Sequence, residues 1–389
     1  MKPPFLFLFG LAVIVPCAGA RAASPKKLLV VTVTTGFRHG PAIDAAEKVL
    51  PELAAKSGSE FQFEFLSEPG PRPSAGKPPE RNAKLTDEEW MTVQEAYKAA
   101  AAKAKDEEAE WSAKVKGLFA LKLSAEALKA YDGVVFCNTT GELPLPDPEA
   151  FGNWIKSGKA FVGMHSATDT LKALPSYYEM INGSFAGHPW GGGGTHKFLN
   201  HEPAHPAVAM FPGEFQWKDE IYQYNNFKPE SVRVLLSLDT AQSTPQAPYH
   251  VPVSWVRDVG AGRLFYTNLG HNDSTWKDEI YQRHIVAGMR WALRLVEGPS
   301  EPNPGVSAQA ALKGVAGTAA SALNKEAAAL EARALAKAKA DPQWALRARA
   351  EADSYRSLPG PKKDAKPEEV ESLAAKKRAF LMKLLAEFE

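Results

Sequence analysis

The chain has 389 residues, enough for two or three structural units. Its 46 Lys and Arg against 45 Asp and Glu leave a formal charge of +1, which removes the footprint of a nucleic-acid binder and any acidic solvating tail. With 44% apolar and 23% charged residues the composition is that of a globular protein, and the only cysteines, Cys17 and Cys137, exclude a disulfide scaffold and a CxxC metal or redox site.

In chain order, Lys2, the apolar run Phe5 to Val15 and the small-residue sites Ala18-Gly19-Ala20 and Ala20-Arg21-Ala22 read as a secretory signal peptide over residues 1–22. Pro16 before Cys17 argues against lipidation. The expectation is a periplasmic or secreted protein with no membrane anchor after cleavage. From residue 25 short apolar runs alternate with helical stretches. Runs 27–33, 60–66, 133–138 and 160–165 are bounded by turn residues and read as buried parallel strands. Residues 42–56 and 147–157 have helical spacing and polar starts. Runs 233–239, 252–257 and 263–269 extend the sheet, and a helix over 277–295 closes a domain spanning 25–298.

Two segments look foreign to this unit. Residues 84–117, rich in Ala, Lys and Glu, predict a helical insertion on the surface. After a linker at 299–307, residues 308–389 predict an Ala/Lys/Glu-rich helical extension with an intermittent apolar stripe, docked on the main domain or on a protein partner. The fold class is therefore α/β, a doubly wound sheet with a helical insertion and a helical C-terminal appendage.

Ligands of such sheets lie beyond the carboxyl ends of the strands. His39, His165 and His271 each follow a predicted strand end, so they are the candidates for a shared pocket. Neutral imidazoles can hold a divalent metal such as zinc, although no HxH spacing is present. Alternatively a histidine with a carboxylate partner, such as His165 with Asp169, can transfer protons near neutral pH. Between Gly183 and Tyr224 lie His188, His196, His201, His205, a glycine run at 191–194 that suits a lid or a close approach, and the pair Asp219-Glu220. If 219–222 is a strand, only one of the two acids can enter a given site. The aromatics Trp190, Tyr222, Tyr224 and Trp255 offer stacking faces for a sugar. No GxGxxG follows the first strand, so neither NAD nor a flavin is expected.

The chain resembles the ThuA-like (trehalose utilisation) family in Gly36-Phe37-Arg38-His39, Gly163-Met164-His165-Ser166-Ala167-Thr168-Asp169, Gly183-Ser184-Phe185 with Gly187-His188-Pro189, His205-Pro206, Asp219-Glu220-Ile221-Tyr222, Pro252-Val253-Ser254-Trp255 and Leu269-Gly270-His271. The resemblance implies a flavodoxin-like sheet related to class I glutamine amidotransferases, and a link to glycosides, particularly oxidised (3-keto) disaccharides. That superfamily carries a nucleophilic cysteine where this chain has His165, which cannot form the thioester that glutamine hydrolysis needs. Glutaminase activity is therefore not expected. Ser166 lacks the GxSxG setting of a hydrolase nucleophile.

The resulting site has His165, Asp169 and His271 as catalytic residues. Arg38, His39, His188, Trp190, Glu220 and Tyr222 bind substrate, and His39, His165 and His271 hold a metal. The ligand is a sugar or sugar derivative, and the expected chemistry is hydrolase or lyase work on a 3-keto glycoside. A non-catalytic sugar-binding module and a structural interaction protein remain open alternatives.

Overall fold

The computed structural model describes residues 24–58 and 60–314, together with 317, 318, 321, 322, 325, 369 and 372. The expected signal peptide at 1–22 and most of the expected extension at 308–389 lie outside the described residues.

The elements are β1 (Lys26–Val31), α1 (Gly40–Lys56), β2 (Phe61–Leu66), α2 (Asp87–Leu123), α3 (Ala125–Leu128), β3 (Gly133–Cys137), α4 (Pro148–Lys156), β4 (Ala160–Met164), α5 (Pro175–Ile181), β5 (Ser184–Trp190), β6 (Thr195–Asn200), β7 (Glu214–Lys218), β8 (Ile221–Asn225), β9 (Arg233–Leu238), β10 (Pro252–Val259), β11 (Gly262–Thr267), α6 (Asp273–Lys277) and α7 (Glu279–Ala292). Nine strands form one sheet in the order β2-β1-β3-β4-β11-β10-β9-β6-β7, while β5 and β8 pair as a separate ribbon. From β2 to β11 all neighbours are parallel, and from β10 outward they are antiparallel.

The parallel half follows from its sequence. β3 and β4 are buried at every position, as apolar runs covered on both faces must be. One core packs α1 and α7 against the sheet through Ala42, Ala46, Leu50, Ile285 and Met289. A second packs α2, α4 and α5 on the opposite face through Phe119, Phe151 and Ile181. Helices on both faces of a sheet that starts 2-1-3-4, with β11 in fifth place, make a flavodoxin-like fold.

Two expectations need correction. The segment predicted as a surface insertion ending at Gly117 is the outer part of α2, which runs on to Leu123. Thr86 and Glu89 form a reciprocal capping box at its start. Trp111, Val115, Phe119 and Leu123, four residues apart, bury one stripe into the second core. Each buried side chain of this kind contributes about 1.5–3 kcal/mol, more than the roughly 1 kcal/mol that an interior glycine costs a helix.

Residues 299–307, expected as a linker, include a strap on the sheet. The Asn303 side chain accepts from the Val234 amide at 2.7 Å and donates to the Val234 carbonyl at 3.0 Å, imitating a neighbouring strand. Residues 304–314 are helical, and Lys313 reaches Asp239 at 2.8 Å. Among the described residues no helix is long and apolar enough to cross a membrane.

Candidate functional site

The carboxyl ends of β1, β4 and β11 open on one side of the sheet, and each is followed by a histidine. His39 immediately precedes α1, and its carbonyl accepts the Ile43 amide at 3.0 Å. The amino end of a helix disfavours positive charge. Burial, followed by the proximity of His165, His271 and His188, lowers the His39 pKa to about 2, so this imidazole is neutral. His165 stands at a sharp turn after β4 with φ of 44°, a left-handed conformation that is costly for a residue with a side chain. The Tyr266 hydroxyl secures the turn by donating to the His165 carbonyl at 2.6 Å. His271 follows Gly270, whose φ of 114° and 2.4 Å clearance from a notional Cβ to the Tyr281 hydroxyl admit only glycine.

The fourth member comes from the other half of the molecule. Glu220 lies in the turn between β7 and β8, with its Oε2 3.6 Å from Nε2 of both His165 and His271. His39, His165, Glu220 and His271 each offer a ligand atom, all within 4.8 Å of one another. The three rings also meet edge to face, with centroids 4.9 to 5.3 Å apart.

The hydrogen bonds around this cluster orient the rings of His165 and His271. His165 Nδ1 lies 2.7 Å from the Asn268 carbonyl, an acceptor, so Nδ1 carries the proton and Nε2 presents a lone pair. That buried Nε2 has no hydrogen-bond partner, which ordinarily costs stability. Asn272 donates its amide to the carbonyls of Gly192 at 2.8 Å and Lys218 at 3.1 Å. This turns its Oδ1 toward His271 Nδ1 at 3.1 Å, leaving His271 Nε2 to face Glu220. Burial raises the Glu220 carboxyl, but His165, His271 and His188 outweigh it and hold the group below the ordinary carboxylate range. Imidazoles with a ring nitrogen turned toward one carboxylate are the donor set of a divalent cation such as zinc, and carbonyl or amide partners on the second ring nitrogen are typical of such sites.

Asp219 builds the frame. It is fully buried, and burial raises its pKa. It accepts from the amides of Gly270 at 2.7 Å, Asn272 at 2.9 Å and Glu220 at 3.1 Å, and from the Thr275 hydroxyl at 3.0 Å. One carboxylate thereby ties the turn carrying Glu220 to the loop carrying His271. Of the two neighbouring acids only Glu220 faces the imidazoles, although both lie in a turn rather than in the alternating strand that the sequence suggested.

The other predicted residues divide. His188 is 56% exposed at the mouth, with Nδ1 3.2 Å from Glu220 Oε1. Tyr222 packs its ring 4.4 Å from His165 and brings its hydroxyl within 3.4 Å of His39 Nε2. Asp169 is not the partner of His165; it pairs with Lys172 at 2.5 Å, and Glu220 takes the place foreseen for it. Arg38 turns away from the pocket to Glu68 at 2.8 Å, because that buried carboxylate, which also binds Thr34, needs a cation. Trp190 is fully buried and donates to the Pro245 carbonyl, so no sugar can stack on it. Trp255 is likewise core, and Tyr224 bonds Tyr266 within it. The glycine run makes a tight turn, Gly194 N to Gly191 O at 3.0 Å, and a Cβ on Gly192 would lie 2.8 Å from His271 Nδ1.

Sequence reasoning missed Asp219 as a frame, Asn268 and Asn272 as orienting partners, and Phe37. That phenylalanine is 70% exposed, with its ring 4.9 Å from His39, and its position beside His39 in the Gly36-Phe37-Arg38-His39 turn was the available signal.

A family model described as ThuA, trehalose utilisation, matches residues 81–292. The matched stretch holds His165, Glu220 and His271 and begins after His39. Among solved structures, a ThuA-like protein from Bacteroides uniformis ATCC 8492 is 20% identical over 72% of this chain and 95% of its own, with a TM-score of 0.48. Another, from Parabacteroides merdae ATCC 43184, is 16% identical over 72% of this chain and 98% of its own, with a TM-score of 0.47. None of the curated proteins matches the chain.

Proposed function

The chain belongs to the ThuA, trehalose utilisation, family, and from that premise we propose that it is an exported enzyme acting on a carbohydrate, specifically an oxidised (3-keto) glycoside, at the cluster of His39, His165, Glu220 and His271. The observation that carries the reading is the unpartnered, buried Nε2 of His165 directed at Glu220. At 3.6 Å the pair is too long for a hydrogen bond, and a cation between them satisfies both groups.

His39, His165, Glu220 and His271 would hold a divalent metal, and when bound it polarises the substrate's keto oxygen. The remaining work falls to the chain. His188, exposed at the mouth and paired with Glu220, takes the proton from the carbon beside the carbonyl. The electron pair released there forms a carbon–carbon double bond as the glycosidic C–O bond breaks. The departing oxygen takes up the proton that His188 removed, giving an unsaturated keto sugar and a free alcohol and restoring His188, and water can add across the double bond afterwards. Phe37 and Phe185 flank the mouth with apolar rings, and such faces suit the C–H side of a pyranose.

Purified mature protein supplied with 3-ketotrehalose and zinc, manganese or calcium should release free sugar at a rate that His165→Ala abolishes. Unchanged substrate under all of these conditions would defeat the reaction, and sugar binding that persists without turnover in the parent protein would favour a non-catalytic binding module.

A further inference from the structure

Behind the β5–β8 ribbon lies a second concavity. Alternate residues of a strand point to opposite faces. Tyr222 therefore faces the histidine cluster, while Gln223 and Asn225 face a groove of about 400 Å³ that Tyr224 also borders and whose wall includes Phe227, Tyr249 and His250. This volume lies within the range of small-molecule sites, roughly 300–1,000 Å³.

The chemistry of the lining is specific. It contains no Lys, Arg, Asp or Glu. Tyr249 is 42% exposed and donates its hydroxyl to Gln223 Oε1 at 2.7 Å, while Gln223 Nε2 donates to the Ala186 carbonyl at 3.2 Å, so the amide and the phenol are fixed together. The Phe227 ring is held between His250 and Trp255, at centroid distances of 6.1 and 5.4 Å. His250 lies 2.6 Å from the Ser237 hydroxyl, and burial followed by the proximity of His201 lowers its pKa to about 3, so the imidazole adds no charge. Asn225 presents an exposed amide. Aromatic faces accept the C–H side of a pyranose, and amides exchange hydrogen bonds with its hydroxyls. A phosphate or carboxylate would lose its hydration in this groove without meeting a cation.

We propose that the groove behind the ribbon is a second binding site, separate from the histidine cluster, for a neutral saccharide unit. The proposal rests on the carbohydrate reading above only for its choice of sugar; the exclusion of charged ligands comes from the lining itself.

The test is saturation-transfer NMR on the full chain with trehalose, maltose, glucose and glucose 6-phosphate, using the parent protein and His165→Ala, Tyr249→Ala, Tyr249→Phe and Asn225→Ala. A neutral disaccharide should bind the parent and His165→Ala alike. Its affinity should fall about tenfold or more in Tyr249→Ala, a loss of at least about 1.4 kcal/mol, while Tyr249→Phe, which keeps the ring, retains most of it. Asn225→Ala, on an exposed side chain, should weaken binding without disturbing the fold. Glucose 6-phosphate should bind no tighter than glucose. The proposal is overturned if no neutral sugar binds any of these proteins, if binding vanishes in His165→Ala yet survives in Tyr249→Ala, or if the phosphorylated sugar is preferred. Tyr249-dependent binding in a parent protein that turns over no glycoside would defeat the reaction proposed above and leave the groove standing.

Discussion

The two halves of the sheet supply the site by different means. In the parallel half, β1, β4 and β11 lie close together and run the same way, so a histidine just past each carboxyl end is carried to the same place by topology. The antiparallel half contributes Glu220 from a turn between β7 and β8, elements that belong to different sheets, and no shared strand direction aims it. Its position depends on Asp219, which binds Gly270, Asn272 and Thr275 across the gap. The imidazoles are thus placed by the fold, and the carboxylate by one buried acid.

That contrast can be broken at several depths. Removing a ligand itself should do most: His165→Ala or Glu220→Gln should weaken zinc binding by more than about 100-fold, beyond the effect of outer-shell changes. A chelator competition titration reads this directly, and near-parental affinity in either variant would contradict the assignment. Asp219→Asn preserves shape but puts a donor where acceptors are needed. It should cost about 10–100-fold in zinc affinity and also lower the melting temperature. Parental affinity in a folded Asp219→Asn protein would mean that Glu220 holds its position unaided.

A third effect concerns the scaffold rather than the ligands. Burial is the leading cause lowering the pKa of His201, His205 and His284 to about 4 and that of His250 to about 3. Between those values and about 6.5, the unfolded chain binds protons at these groups that the folded chain does not. Their contribution to stability is therefore complete above about pH 6.5 and is lost as pH falls toward 4. Asp219, whose carboxyl is raised by burial, works in the opposite sense and offsets part of this loss. Melts at pH 7.5, 5.5 and 4.5 should show a progressive fall, whereas a flat or rising profile would be inconsistent with neutral buried imidazoles.

The smallest effect belongs to Arg38. Because it binds Glu68 and not the pocket, Arg38→Met should lower the melting temperature by about 2–4 °C and leave zinc affinity within about twofold. A large loss of metal would return Arg38 to the site.

The same contrast explains what was legible in the sequence. The parallel strands announce themselves as apolar runs, and the rule that ligands gather at their carboxyl ends leads directly to His39, His165 and His271. The short strands β5 to β8 mix polar, glycine and aromatic residues and pass for loop, so nothing in them aims Glu220 at the imidazoles. Asp169 was the sequence-near choice for His165, but the turn of left-handed backbone at His165 directs the ring to Asn268 and Glu220 instead. Trp190 looked like a sugar platform because burial cannot be read from a lone aromatic beside glycines. The outward reach of α2 was visible in its composition; its buried final turns were hidden by Gly117, a residue the packed stripe outweighs.

The most direct test of the central claim is the metal content of the purified protein by elemental analysis, beside His165→Ala, Glu220→Gln and Asp169→Ala. Near-stoichiometric divalent metal in the parent and in Asp169→Ala, with loss in the other two, is the predicted result. Protein that takes up no zinc, manganese or calcium when these are supplied, or metal retained equally in all four, would contradict a centre built from His39, His165, Glu220 and His271.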